Sequence, residues 1–273
     1  MTRTSDKPII ISDGTMDVAE HITMAHGELT FYSTRSPAKY TPNEDSLAII
    51  PVDNHTLVLV VADGMGGMPA GEQASQIIVH SLSNILSKKP ESQTIRNAII
   101  EGIDIADAKI KDLKNGSGST VSVAEISGTQ IRNYHVGDSL TLLTSNHGNI
   151  KYVSMAHSPI GYALECGAID HATAMKHLER NLITNYVGCH EMFIHIGPII
   201  ELASLDTLII ASDALSDNLY EHEISEHIRK GPLLESIEEM KRTCQNNMLI
   251  KGDDRLCHPD DFTFIAFRQA SKE

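Results

Sequence analysis

The sequence predicts an α+β layered domain, and three observations carry that prediction. Nine short β-branched runs bounded by turn residues are spread along the chain. Several are joined by turns such as "SGT" and "GD", too short to hold a helical crossover. Helical periodicity is confined to one block before the middle and another near the end, which disfavours a doubly wound parallel sheet.

Taken in order, "ELTFY", "DSLAII" and "TLVLVVAD" are the first strands. A helix follows over 71–87, where Ala74, Ile78, Leu82 and Ile85 recur at three- and four-residue steps, and a second spans about 92–113. The runs "STVSVAEI", "TQIRNYHV" and "SLTLLTS" then predict an antiparallel meander over 119–145. Residues 156–190, mixed in polarity and rich in turns, form an inserted surface lobe. Strands at "EMFIHIG", "TLIIASD" and "FTFIAF" and helices over 216–229 and 233–249 complete the order. With no repeat or long linker, 1–273 reads as a single domain.

Composition narrows the function. The 273 residues carry a net charge of -14 and no dense Lys/Arg run, which argues against a nucleic-acid partner and suits hard cations. Cys166, Cys189, Cys244 and Cys257 are scattered without a CxxC pair, so neither a thiolate zinc site nor a disulfide framework is expected. The longest apolar run, "LVLVVA", is too short to span a bilayer, and the start of the chain has no signal-peptide segment. A cytoplasmic protein is the simplest expectation.

Five acidic clusters lie near strand ends: Glu44 and Asp45 in "NEDS", Asp63 in "VADGMGG", Asp138 in "HVGDS", Asp213 and Asp217 in "ASDALSDN", and Asp260 and Asp261 in "HPDDFTF". Converging strands would gather them into a cage that repels itself unless cations fill it, and all-oxygen ligation selects Mg²⁺, Mn²⁺ or Ca²⁺. Asp13 before Gly14 reads as a turn, and "GDD" at 252–254 as a solvated loop.

In order and interval, these clusters resemble the motif series of the metal-dependent protein phosphatases, the PPM or type 2C serine/threonine family, over about 27–268. The stretch "VADGMGGMPAGEQAS" is similar to the family's Asp-Gly-x-Gly-Gly motif with its helix start. "GSGSTVSVAEISGTQIRNYHVGDSLTLL" resembles its central strands, "DTLIIASDALSDNL" its Ser-Asp-Gly-x-x-Asp motif, and "HPDDFTFIAF" its closing strand. The resemblance implies a four-layer αββα sandwich, two antiparallel sheets flanked by helix pairs, with two Mn²⁺ or Mg²⁺ ions at one end. It implies that Asp63 bridges both ions, that the Gly64 carbonyl and Asp45 serve the second, with Glu44 acting through water, and that Asp213 and Asp260 hold the first. Asp138, Asp213 and Asp217 would form a third, weaker site.

The implied reaction is hydrolysis of phosphoserine or phosphothreonine in proteins, opposing a Ser/Thr kinase. A metal-bound water held by Asp63 and Asp213 attacks in line, without a covalent intermediate. The alternatives are a weakly active regulatory module and a phosphatase of small phosphomonoesters. Three positions depart from the family pattern. Tyr40 stands at the phosphate-clamping Arg, leaving Lys39 or Arg35 to supply a cation. Met65 and Met68 stand where a proton-donating His often follows, leaving a metal-bound water or a lobe histidine such as His157, His171 or His177, and no general acid is assigned. Ala214 replaces a glycine, which calls for either a negative-φ turn or local strain there.

Overall fold

The computed structural model describes residues 7–24, 26–89, 93–249 and 257–269. One sheet runs in the order β1 (Ile9–Ser12), β4 (Ser46–Pro51), β5 (Thr56–Ala62), β6 (Val121–Ser127), β7 (Gln130–Val136) and β10 (His195–Ile196), with β11 (Ile200–Glu201) also on β7. The other runs β2 (Glu20–Met24), β3 (Gly27–Thr34), β13 (Phe262–Gln269), β12 (Thr207–Ala211), β8 (Leu140–Thr144) and β9 (Ile150–Val153). Every pairing within both sheets is antiparallel.

Strand β5 explains the layering. Its Leu57, Leu59 and Val61 pack between the sheets against Phe31, Ile210, Ile265 and Phe267. The alternate Val58, Val60 and Ala62 face outward, onto α1 (Gly71–Ser87) and α2 (Ile95–Asp112) through Ala74, Ile78, Leu82, Ile99 and Ile103. Because successive side chains point to opposite faces, a strand covered on both must be apolar throughout. The second sheet is covered in the same way by α5 (Asp213–Ser216), α6 (Glu221–Ile228) and α7 (Leu233–Leu249), whose Leu215, Ile224, Ile237, Met240 and Cys244 meet Phe262, Phe264 and Ala266. Each such fully buried side chain contributes about 1.5–3 kcal/mol of transfer free energy. The result is the expected αββα sandwich.

The expected helices over 71–87 and 233–249 are present. The helix expected over 216–229 is instead two, α5 and α6, separated at Asp217–Tyr220, where Asp217 is the C-cap of α5 and Tyr220 the N-cap of α6. The lobe carries two short helices, α3 (Pro159–Glu165) and α4 (His171–Met175). The "EMFIHIG" run yields only the two residues of β10.

One expectation is corrected. Strands β6 and β7 form the hairpin, but β8 pairs with β12 and β9 in the other sheet, so 119–145 is not one meander. The Gly137–Asp138 turn crosses between sheets, and a turn of this length permits either course. Gly137 has φ +102°, and a Cβ there would overlap Thr120. Hydroxyl pairs Thr120–Ser139 and Ser122–Thr141, both 2.6 Å, join the sheets beside the crossing.

Candidate metal centre

The crossing places carboxylates from both sheets at one end of the sandwich. Asp45 immediately precedes β4 and Asp63 immediately follows β5, and these neighbouring strands pair Ser46 with Ala62. Asp138 sits in the crossing, Asp213 opens α5 at the end of β12, and Asp260 precedes β13. Asp63 is centred among Asp45, Asp213, Asp260 and Asp138, and burial followed by these four neighbours holds its carboxyl well above the usual range. Burial, then Asp217, Asp138, Asp260 and Asp45, raises Asp213 likewise. The structure thus brings together all the aspartates expected at the site.

Burial and the Asp261 and Asp260 charges push Asp45 up to about 8. Neither Asp45 oxygen has an aligned donor, although Ser212 and Thr263 lie close enough to temper the shift. Asp138 rises to about 7 through burial and Asp217, and its Oδ1 is buried without a partner. Asp260 stands at the exposed mouth, raised by the protein packed around its carboxyl despite the Asp261 N–H at 2.7 Å. Buried carboxylate oxygens without donors are costly, and hard cations satisfy them with the oxygen ligation they prefer. The donor set therefore fits Mg²⁺ or Mn²⁺.

Gly64 shows how tightly the backbone is gathered here. Its N–H donates to the Glu44 carbonyl at 3.2 Å, and a Cβ would overlap the Gly71 carbonyl at the start of α1. Ala214, where a negative-φ turn or local strain was expected, lies in α5, buried and absent from the positive-φ residues. A Cβ is accommodated without strain and contributes to the outer core.

Lys39 and Arg35 separate clearly. The Lys39 ammonium pairs with Glu44 Oε2 at 2.7 Å and with Asp261. Burial lowers its pKa, but the Asp261 and Glu44 carboxylates more than offset that and the net shift is upward. Asp261 also accepts the N–H groups of Ser36 and Glu44, each at 2.7 Å, so it fastens the "NEDS" loop to β13. This role was not read from the sequence; the signal is the Asp-Asp pair, since adjacent residues at a strand's start face opposite ways. Arg35 is exposed and reaches the Tyr40 carbonyl at 3.5 Å. Replacing Lys39 with alanine is expected to destabilise the protein by about 2 kcal/mol, because it leaves two partly buried carboxylates without their counter-ion; urea unfolding checks this.

Of the lobe histidines, His157 is fully buried and stacked on His135, with ring centroids 4.6 Å apart. Its Nδ1 accepts the Gly137 N–H at 3.1 Å, and burial lowers it to about 4, so it is a neutral prop for the crossing and not an acid. His135 and His195 continue the stack, 4.8 Å apart. Three imidazoles lie together there, but their near-parallel planes do not point lone pairs at one centre. His177 is half-buried and accepts the Glu179 N–H, whereas His171 lines a cavity of about 140 Å³ together with Asp138, Asp213 and Asp217. Arg180, also in that lining, lies 3.1 Å from Asp217; nothing in the sequence signalled it. Burial raises Asp217 to about 6 while Arg180 pulls the other way.

A family model described as protein phosphatase 2C matches residues 35–252. The chain belongs to the protein phosphatase 2C family. Among phosphatases 2C, the serine/threonine phosphatase stp of Listeria monocytogenes is 28% identical over 198 residues, covering 68% of this chain and 77% of the relative. Stp1 from Staphylococcus aureus superposes with a TM-score of 0.79 at 22% identity, covering 96% of this chain and 98% of that one. The catalytic domain of the phosphatase PstP, crystallised with two manganese ions, gives a TM-score of 0.69 at 22% identity, covering 89% and 98%. These two likenesses bear out the αββα fold of a phosphatase 2C. Among the described residues, no helix is long and apolar enough to cross a membrane.

Proposed function

We propose that this protein is a metal-dependent phosphatase that hydrolyses phosphoserine and phosphothreonine in proteins. The observation that carries the reading is the ring of carboxylates around Asp63, with the Asp45 oxygens buried and unpartnered, in a phosphatase 2C chain. In this reading Asp63 is shared by two Mn²⁺ or Mg²⁺ ions, Asp213 and Asp260 complete one, and Asp45, the Gly64 carbonyl and Glu44 through water complete the other. Bound cations supply an acidified water and neutralise the phosphate charge.

The chain's own residues supply position. Asp261 and Lys39 hold Glu44 and its loop against β13, so the first motif keeps its place relative to the last. Asp260 leaves the mouth open for the phosphate. Beside it, Ile160, Leu164 and Met175 give the 140 Å³ cavity apolar walls that suit a peptide side chain next to the phosphorylated residue. We read 1–273 as one phosphatase domain, spanning about 27–268, whose 156–190 lobe selects the substrate. Its setting is the cytoplasm, opposing a Ser/Thr kinase.

A second reading, a phosphatase-like binding module with little turnover, draws on one observation: Lys39 is held by two carboxylates. Phosphate release from a phosphothreonine peptide separates the readings. Turnover is expected with Mn²⁺, none with EDTA, and much less on a sugar phosphate. Mn²⁺ binding without turnover would support the binding module, and metal-independent turnover would reject both.

A further inference from the structure

The subsite formed by Asp138, Asp213 and Asp217 already contains a positive charge. Arg180, from the lobe, is only 12% exposed on its side chain, and its Nη1 lies 3.1 Å from Asp217 Oδ1. It is the one ammonium or guanidinium among the residues lining the cavity that these three aspartates share. Nη1 is buried and, despite this proximity, makes no aligned hydrogen bond, so the contact is one of charge. Asp138 Oδ1, across the same cavity, is buried and unpartnered.

We propose that the Arg180 guanidinium takes the place of a third cation, so that this protein works with two ions and an internal guanidinium. The inference rests on the two-ion reading above. An ion bound by Asp138, Asp213 and Asp217 would share Asp217 with the guanidinium at close range, and like charges in a poorly solvated cavity exclude one another. The guanidinium differs from an ion in being tethered. It links the lobe directly to the carboxylates at the end of α5, making Arg180 a positioning residue that couples the substrate-selecting lobe to the metal centre. Its planar, permanently charged head suits the role, since it cannot be neutralised by burial as an ammonium can.

The test counts bound Mn²⁺ per chain by equilibrium dialysis with elemental analysis, alongside anomalous diffraction at the manganese edge. The wild type is expected to hold two ions. Arg180→Ala is expected to hold a third, at Asp138, Asp213 and Asp217, at least about tenfold more tightly than the wild type does. Arg180→Lys, which keeps a charge on the same tether, is expected to return to two. A third ion bound equally well by wild type and Arg180→Ala would overturn the inference, as would two ions in Arg180→Ala. Fewer than two ions in the wild type would overturn the two-ion reading itself, and this inference with it; phosphate release, measured separately, reports on that reading alone.

Discussion

Asp63→Asn is expected to lower Mn²⁺-dependent phosphate release by about 10³-fold or more while making the metal-free protein more stable. The two effects share one cause. Asp63 faces Asp45, Asp213, Asp260 and Asp138, so on the proposed reading its charge is what two cations would need and what the metal-free cage resists. Asparagine keeps the shape and one carbonyl oxygen but removes the charge, so the anchoring of both ions suffers. In EDTA the same change relieves repulsion among buried carboxylates, and a rise in Tm of about 2–4 °C is expected for each kcal/mol regained in a chain of this size. Phosphate release together with thermal unfolding, with and without EDTA, checks both halves. Full activity in the variant, or a less stable metal-free form, would reject the placement of Asp63 at the centre of the cage.

The second large effect is a reversal of the pH dependence of stability by metal. Asp45, Asp138 and Asp217 have folded pKa values near 8, 7 and 6, all raised chiefly by burial and then by neighbouring carboxylates, with Arg180 opposing the rise at Asp217. In the unfolded chain each returns to about 3.9. A carboxyl with a raised folded pKa favours its protonated form in the fold. Its cost is absent below about pH 4, grows as pH rises, and is complete above the folded pKa. In EDTA the Tm is therefore expected to fall by about 5 °C or more between pH 5 and pH 8.5. With saturating Mn²⁺ the trend should invert, because cations bind the ionised carboxylates and proton release accompanies their binding. Thermal scans across that range, with and without metal, decide it; a Tm that climbs with pH in EDTA would show that these carboxylates are not desolvated together.

Much of this was legible in the sequence, for identifiable reasons. Helix periodicity marked 71–87 and 233–249 because those helices each bury one face on one sheet. The unbroken apolar run of β5 followed from its being covered on both sides. Motif aspartates were visible because each sits beside an apolar run with a clear end. The rest was hidden by physics that acts across the chain. Strand β8 joins the second sheet, and a short Gly-Asp turn carries no signal of which sheet the next strand enters. The edge strands β1, β2 and β9 are short and only partly buried, so their patterns are weak. Asp261 and Asp217, which hold Lys39 and Arg180, lie far from them in sequence, and a basic residue in a loop looks the same whether it is solvated or caught between carboxylates. "GDD" at 252–254 lies outside the described residues.

The seating of β13 has a consequence for the order of synthesis. It is the last strand in chain order among those described, yet it occupies the middle of its sheet, between β3 and β12, with Asp260 and Asp261 at its entrance. The Asp261 carboxylate that fixes the first motif comes from 217 residues further along than the Glu44 amide it receives. A chain still emerging from the ribosome therefore has a gap where Asp260 belongs and a first motif not yet tied to the second sheet by Asp261. On the proposed two-ion reading, catalytic competence is expected only once this late strand inserts, so a nascent or prematurely terminated chain is expected to release no phosphate.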